Sequence, residues 1–254
     1  MTDEATLAQR ARDYVPPENL LAGRSILVTG AGQGLGREVA LACARVGATV
    51  ALLGRKVEKL EATYDAIVEG GGAQPAMIPL DLAAATGADF DNLAQLLRRE
   101  LKGLHGIAHC ASHFVPLGPL AGQTLDQWLQ LLRVNLAAPF ALTRACLPLL
   151  GAAPGASVVF TGETHGIAPR AYWGGFAVSK SALSTLAAIW GDENERAGPR
   201  VNVLVPGPID TPQRARSHPG EEKSRLPTAE YAAHAFLFLL GPDSAETNGK
   251  TVAL

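Results

Sequence analysis

Residues able to do chemistry are concentrated in a few short stretches of this chain. Between an apolar run and a helical pattern, Thr29-Gly-Ala-Gly-Gln-Gly-Leu-Gly36 places glycines at 30, 34 and 36. Glycines there permit a tight turn and close backbone approach, while free N–H groups at the helix start face an anion such as a pyrophosphate. The next apolar run ends in Leu53-Gly54-Arg55-Lys56, two cations with no acid. A carboxylate at that point would grip a ribose 2′-hydroxyl and repel a 2′-phosphate, so two cations favour the phosphate. The expected ligand is a dinucleotide, NADP(H) favoured over NAD(H), with Arg37 a candidate third cation. Lys180 follows Phe176 by one helical turn, which puts both on one helix face.

Other titratable groups fall where they could border the same cleft. His113 and His165 follow the fourth and fifth apolar runs, and with Glu163 and Lys180 they could form an acid/base set. Tyr172 lies one turn before Phe176, at or before the helix start, a candidate substitute acid for which packing at the pocket rim is the plainer role. His109, His113 and Glu163 match no metal-ligand spacing, and no metal is expected. Residues 212–227 read as a short polar lid with Arg214, Arg216 and His218, more consistent with a solvated loop than with a dedicated anion site.

These groups need a scaffold, and the hydrophobic pattern supplies one. Apolar runs at 25–29, 49–53, 76–80, 106–110, 157–161, 200–205 and 251–254 read as strands. Between them, helical spacing covers about 34–46, 56–69, 89–101, 125–150, 174–196 and 228–240. Strict alternation of buried strands with helices predicts an α/β fold, a Rossmann-type doubly wound parallel sheet of about seven strands. Residues 1–22 read as a polar N-terminal extension in which Pro16-Pro17 ends any helix, and 23–254 as a single domain.

The glycine loop together with Trp173-Gly-Gly-Phe-Ala-Val-Ser-Lys180 resembles the short-chain dehydrogenase/reductase family across about residues 21–254. The resemblance implies that Thr29, Gly30, Gln33, Gly34, Leu35 and Gly36 hold the cofactor phosphates, although many NADP-preferring members carry a basic residue where Gln33 stands. It implies adenine contacts from Asp81-Leu82, with helix capping the competing role for Asp81. Ala111 survives from the family's Asn-Asn-Ala-Gly run, here His109-Cys-Ala-Ser112. In Pro206-Gly-Pro-Ile-Asp-Thr211, the resemblance sets the motif, Pro206 and Gly207 included, beside the nicotinamide carboxamide, makes Ile209 the apolar wall and gives Thr211 a bond to the amide or to a phosphate. Asn135 matches a structural and relay asparagine; a mid-helix kink or a bound water is the plainer role.

The resemblance also exposes two departures. The family reads Tyr-x-x-x-Lys where this chain has Phe176 and Lys180, and phenylalanine exchanges no proton. Thirteen residues earlier the family places a serine; here stands Glu163, with Gly166 keeping the usual Ser-x-x-Gly register. A carboxylate accepts where the serine would donate. In the family the lysine binds the nicotinamide ribose hydroxyls and lowers the tyrosine pKa; the resemblance leaves Lys180 the ribose role, with an expected ion pair to Glu163. Losing positioned acid–base assistance typically costs about 10²–10⁴-fold in rate. Three readings follow: an NADP(H)-dependent oxidoreductase with a remodelled proton site, a non-catalytic NADP(H)-binding sensor or partner protein, and a weak reductase.

Bulk properties narrow the partners. The 254 residues carry 22 basic and 24 acidic side chains, a net charge of −2, which argues against nucleic acid. Cys43, Cys110 and Cys146 are expected to be reduced, no apolar run reads as a membrane span, and residues 1–21 are too polar for a signal peptide. The expectation is a cytoplasmic protein that takes a small-molecule substrate. A homo-oligomer is expected, and the face Val178, Ala182, Leu186, Ile189 and Trp190 could form its contact or face the sheet.

Overall fold

The chain folds around a sheet whose central strands are buried, and a computed structural model describes residues 4–195 and 197–254. Met1–Asp3 of the expected extension and Arg196 at the end of the expected fifth helix lie outside the described residues. In chain order the elements begin α1 (Glu4–Arg12), β1 (Ser25–Thr29), α2 (Gly34–Arg45), β2 (Thr49–Gly54) and α3 (Val57–Glu69). They continue β3 (Ala76–Pro79), α4 (Gly87–Glu100), β4 (Gly106–His109), α5 (Leu125–Leu132), α6 (Ala138–Gly151) and β5 (Ser157–Thr161). The series ends α7 (Thr164–Ile167), α8 (Gly174–Glu193), β6 (Arg200–Val205), α9 (Pro212–Ser217), α10 (Ala229–Leu240) and β7 (Thr251–Ala253).

The seven strands form one parallel sheet in the order β3-β2-β1-β4-β5-β6-β7. Side chains of β1 alternate between two cores: Ile26 and Val28 pack with α2 and α10, Leu27 with the α4, α6 and α8 side. Successive crossovers reverse direction at β1, so the loops after β1 and β4 part and leave a crevice, the usual ligand site of such sheets. Thr29 pairs in register with His109, which brings both loops to one level.

Three expectations change. The polar lead-in contains α1, which docks on the domain: Leu7 and Ala11 are buried in the α2/α10 core, and the Arg10 guanidinium lies 5.2 Å from the Phe238 ring centroid. The α5–α6 unit, Leu125–Gly151, is long and apolar enough to cross a membrane, contrary to the sequence reading, yet Leu131, Val134, Leu142, Cys146 and Leu150 bury its inner side in the protein. On α8, Val178 and Ile189 are exposed, whereas Trp190 is buried and stacks on Phe140 and Phe160, so the expected face divides between solvent and sheet.

α5 and α6 are joined through a π-helical turn, Arg133–Ala137, centred on the buried Asn135. Such turns insert one residue into a helix and are frequent at functional sites.

At the end of β4, His109 is 4% exposed, bonds Thr143 Oγ1 through Nε2 at 2.9 Å and lies against Phe160. Burial, helped by the nearby Lys180 charge, pushes its pKa from 6.5 down to about 3. The folded state therefore binds fewer protons than the unfolded state between those values, and stability present above pH 6.5 is lost as pH falls toward 3. Denaturant midpoints measured from pH 7 down to about pH 4 are expected to drop, with a shallower slope in His109→Gln; equal slopes would count against this assignment.

Candidate active site

The crevice is a cleft of about 720 Å³ running from Gly30 to the lid at His218. It is lined by the expected Gln33, Gly34, Leu35, Gly36, Arg55, Lys56, Asp81, Leu82, Ala111, Glu163, Phe176, Lys180, Pro206, Gly207, Ile209 and Thr211. Thr29 stands just behind this wall; its Oγ1 accepts the Ala111 N–H at 3.0 Å, strapping the β1 loop to the β4 loop.

At one end, Arg55 and Lys56 follow β2 with no acid beside them. Lys59, in the first turn of α3, donates to Gln33 Oε1 and also lines the cleft. Lys59 thus takes the place expected for Arg37, whose guanidinium pairs with Glu38 at 2.9 Å and does not line the cleft. Asp81 caps the turn that follows it, accepting from Ala83 N at 3.0 Å. Thr211 likewise has a structural role, since it caps α9 by accepting from Arg214 N at 3.2 Å.

At the other end stands Phe176, 1% exposed, edge-on to Phe114 at 5.1 Å and 6.1 Å from Trp173. Trp173 lies against His165 at 4.2 Å and His218 at 6.0 Å. The floor is a ring cluster with no hydroxyl at position 176. Phe114 and Trp173 escape sequence reasoning because an aromatic in a loop belongs to no hydrophobic period.

Lys180 is 4% exposed; its Nζ donates to Thr161 O at 2.9 Å and lies 5.9 Å from the Phe176 ring centroid. Burial lowers its pKa from 10.5 to about 8, against the opposing influence of Glu163 and Cys110. The expected ion pair with Glu163 does not form: among the described residues Lys180 has no carboxylate partner within 4.0 Å. Glu163 precedes α7, makes no side-chain cap bond and lines the cleft. α7 lies close on α8, where a Cβ on Gly166 would come within 3.1 Å of Ser181 N.

Tyr172, expected as a possible substitute acid, is 60% exposed and does not line the cleft. His165 and His113 do line it. His113 is held by Asn135, whose Oδ1 accepts its N–H at 2.7 Å and whose Nδ2 donates to its carbonyl at 3.0 Å. The second Nδ2 proton goes to Ser179 Oγ at 3.0 Å, and Ser179 donates to Phe176 O at 2.7 Å. One carboxamide thus spends its bonding capacity joining the β4 loop, the π-turn and α8. The His113 imidazole is pushed to lower pKa by burial first, then by the Arg55 and Arg216 charges.

A parallel sheet with its cleft at the β1/β4 switch, a glycine turn and a lysine on α8 defines a Rossmann-type α/β protein. Residues 24–222 match the short chain dehydrogenase family, and the chain belongs to it. The uncharacterized oxidoreductase YciK of Escherichia coli (strain K12) is 39% identical over 238 residues, covering 94% of each chain. The 0.95 Å structure of YciK from E. coli superposes with a TM-score of 0.92 at 38% identity, over 95% of this chain and 98% of that one. A short chain dehydrogenase of Escherichia coli CFT073 complexed with NADPH has a TM-score of 0.91 at 39% identity, over 94% of this chain and 99% of its own.

Proposed function

We propose that the protein is an NADP(H)-dependent oxidoreductase for a carbonyl/alcohol pair in which proton handling has passed from position 176 to Lys180. The observation that carries the reading is a buried lysine with no carboxylate partner among the described residues, set against the ring of Phe176 at the floor of the cleft. The cofactor supplies or accepts the hydride. Arg55, Lys56 and Lys59 at one end of the cleft fit a 2′-phosphate, and the NADPH complex of the E. coli CFT073 relative supports the same choice. Lys180 Nζ gives a proton to the carbonyl oxygen as hydride reaches the carbon, and takes it back in the oxidation. A pKa of about 8 suits a donor working near neutral pH.

Reduction needs the ammonium form, so kcat/KM holds below the Lys180 pKa of about 8 and falls above it. Oxidation, which needs the free amine, rises across the same range. A Lys180→Met change is expected to cost about 10²–10⁴-fold. Reduction that stays flat from about pH 7 to about pH 9.5, or survives Lys180→Met, would sink the assignment.

Cofactor choice is separately testable. Arg55→Ser with Lys56→Ser is expected to reduce the preference for NADPH over NADH by about 10- to 100-fold, as hydrogen bonds to a charged group allow. An unchanged ratio of the two dissociation constants would place the 2′-phosphate elsewhere.

The sealed ring cluster around Phe176 favours a second reading, a non-catalytic NADP(H)-binding protein. Tight NADPH binding without turnover of any carbonyl compound would select it. Free Cys43, Cys110 and Cys146 support a cytoplasmic setting. Exposed Leu125, Leu129, Phe140, Val178 and Ile189 on α5, α6 and α8 support a homo-oligomer.

A further inference from the structure

The two lid arginines differ in how they are engaged. Arg214 is neutralised: its Nε and Nη2 reach both Glu221 oxygens at 2.5 and 2.6 Å, which closes the lid on itself. Ser217 Oγ donates to Arg214 O and adds to the same fold-back. Arg216 has no carboxylate partner within 4.0 Å among the described residues. Its guanidinium lies 5.5 Å from the Phe114 ring centroid and lines the cleft. Phe114 in turn meets Phe176 edge-on, so Arg216 stands one ring away from the reacting end.

A guanidinium on a ring face at the mouth of an aromatic pocket is suited to a planar anion whose body lies on the rings. The pocket's acid, Glu163, acts on Lys180, whereas the lid contributes the unpaired positive charge of Arg216. We infer that Arg216 is a substrate-specificity residue that binds the carboxylate of a carbonyl compound, with an apolar or aromatic spacer lying over Phe114 and Trp173. The ring between Arg216 and Phe176 sets the spacing: the acid group is several bonds from the carbonyl, not adjacent to it. This subsite rests on the oxidoreductase reading for its carbonyl, but not for its anion.

The same chemistry could come from a cofactor phosphate, and binding measurements separate the sources. NADPH affinity is measured first, in wild type and in Arg216→Gln, a change at an exposed residue that leaves the core untouched. Binding of 4-oxo-4-phenylbutanoate and of its methyl ester is then measured by calorimetry on the NADP⁺ complex. The acid is expected to bind about tenfold or more tightly than the ester in wild type. Arg216→Gln should remove that preference with NADPH affinity unchanged, and Arg216→Lys should restore part of it. Equal binding of acid and ester, no binding of either, or a tenfold loss of NADPH affinity in Arg216→Gln would each overturn the subsite. If the acid binds with the expected preference but no hydride is transferred, the subsite stands and the oxidoreductase reading falls.

Discussion

Phe176→Tyr combined with Glu163→Ser is expected to raise NADPH-dependent reduction of simple ketones by about 10²–10⁴-fold, the usual worth of positioned acid–base assistance. Phe176 already presents its ring within the reach of Lys180, with Nζ 5.9 Å from the centroid, so an added phenol would meet a cation that favours its ionised form. Serine at 163 would replace an acceptor by a donor beside the developing oxyanion, a change worth on the order of a further 10²-fold. Because the α7–α8 contact at Gly166 is made close to the backbone of both helices, neither substitution disturbs the spacing of the two positions. Each single variant should gain less than the pair, since the two groups act on one oxygen. Steady-state rates on a panel of neutral ketones read the result. A double variant no faster than the parent would show that the register of 163 and 176 is not that of an acid and its partner.

Gly36→Ala carries the largest expected loss of cofactor affinity. A Cβ there would stand 2.4 Å from Gly30 O, 2.7 Å from Gly30 C and 3.0 Å from Thr29 O, all backbone atoms that cannot swing aside. The first turn of α2 would be pushed away from the end of β1, opening the N–H cradle that faces the pyrophosphate. NADPH affinity is expected to fall by more than about 100-fold, and the overpacked turn to cost about 1–3 kcal/mol of stability. Fluorescence titration and a denaturant melt measure the two effects. Retained affinity would mean that the dinucleotide does not use this turn.

The alternation of elements was legible because the central strands are buried on both faces and read as largely apolar runs, with glycines closing β1 and β2. α7 and α9 were not, since helices of four and six residues are too short to show a period. The docking of α1 was hidden for a related reason: Leu7 and Ala11 are its only buried residues in an otherwise polar segment. At the site, residue types carried the glycine turn, the cations after β2 and the missing hydroxyl at 176. Distances were another matter. Spacing along α8 places Phe176 and Lys180 on one side, but nothing in the order of residues says that Lys180 bonds Thr161 O instead of pairing with Glu163. The same limit explains Arg37 and Lys59, two cations near one loop, of which only Lys59 turns toward the cleft.

The Asn135 bonds involve the backbone of His113, the hydroxyls of Ser112 and Ser179 and, through Ser179, the carbonyl of Phe176. None of the groups bonded in this frame is an acid or base that titrates near neutral pH. Architecture and reactivity are therefore carried by separate parts, so the groups at 163 and 176 can be exchanged without rebuilding what aligns them. The chain is in this sense a socket: its chemistry can be swapped by evolution or by design, one residue at a time, on a mount that does not change.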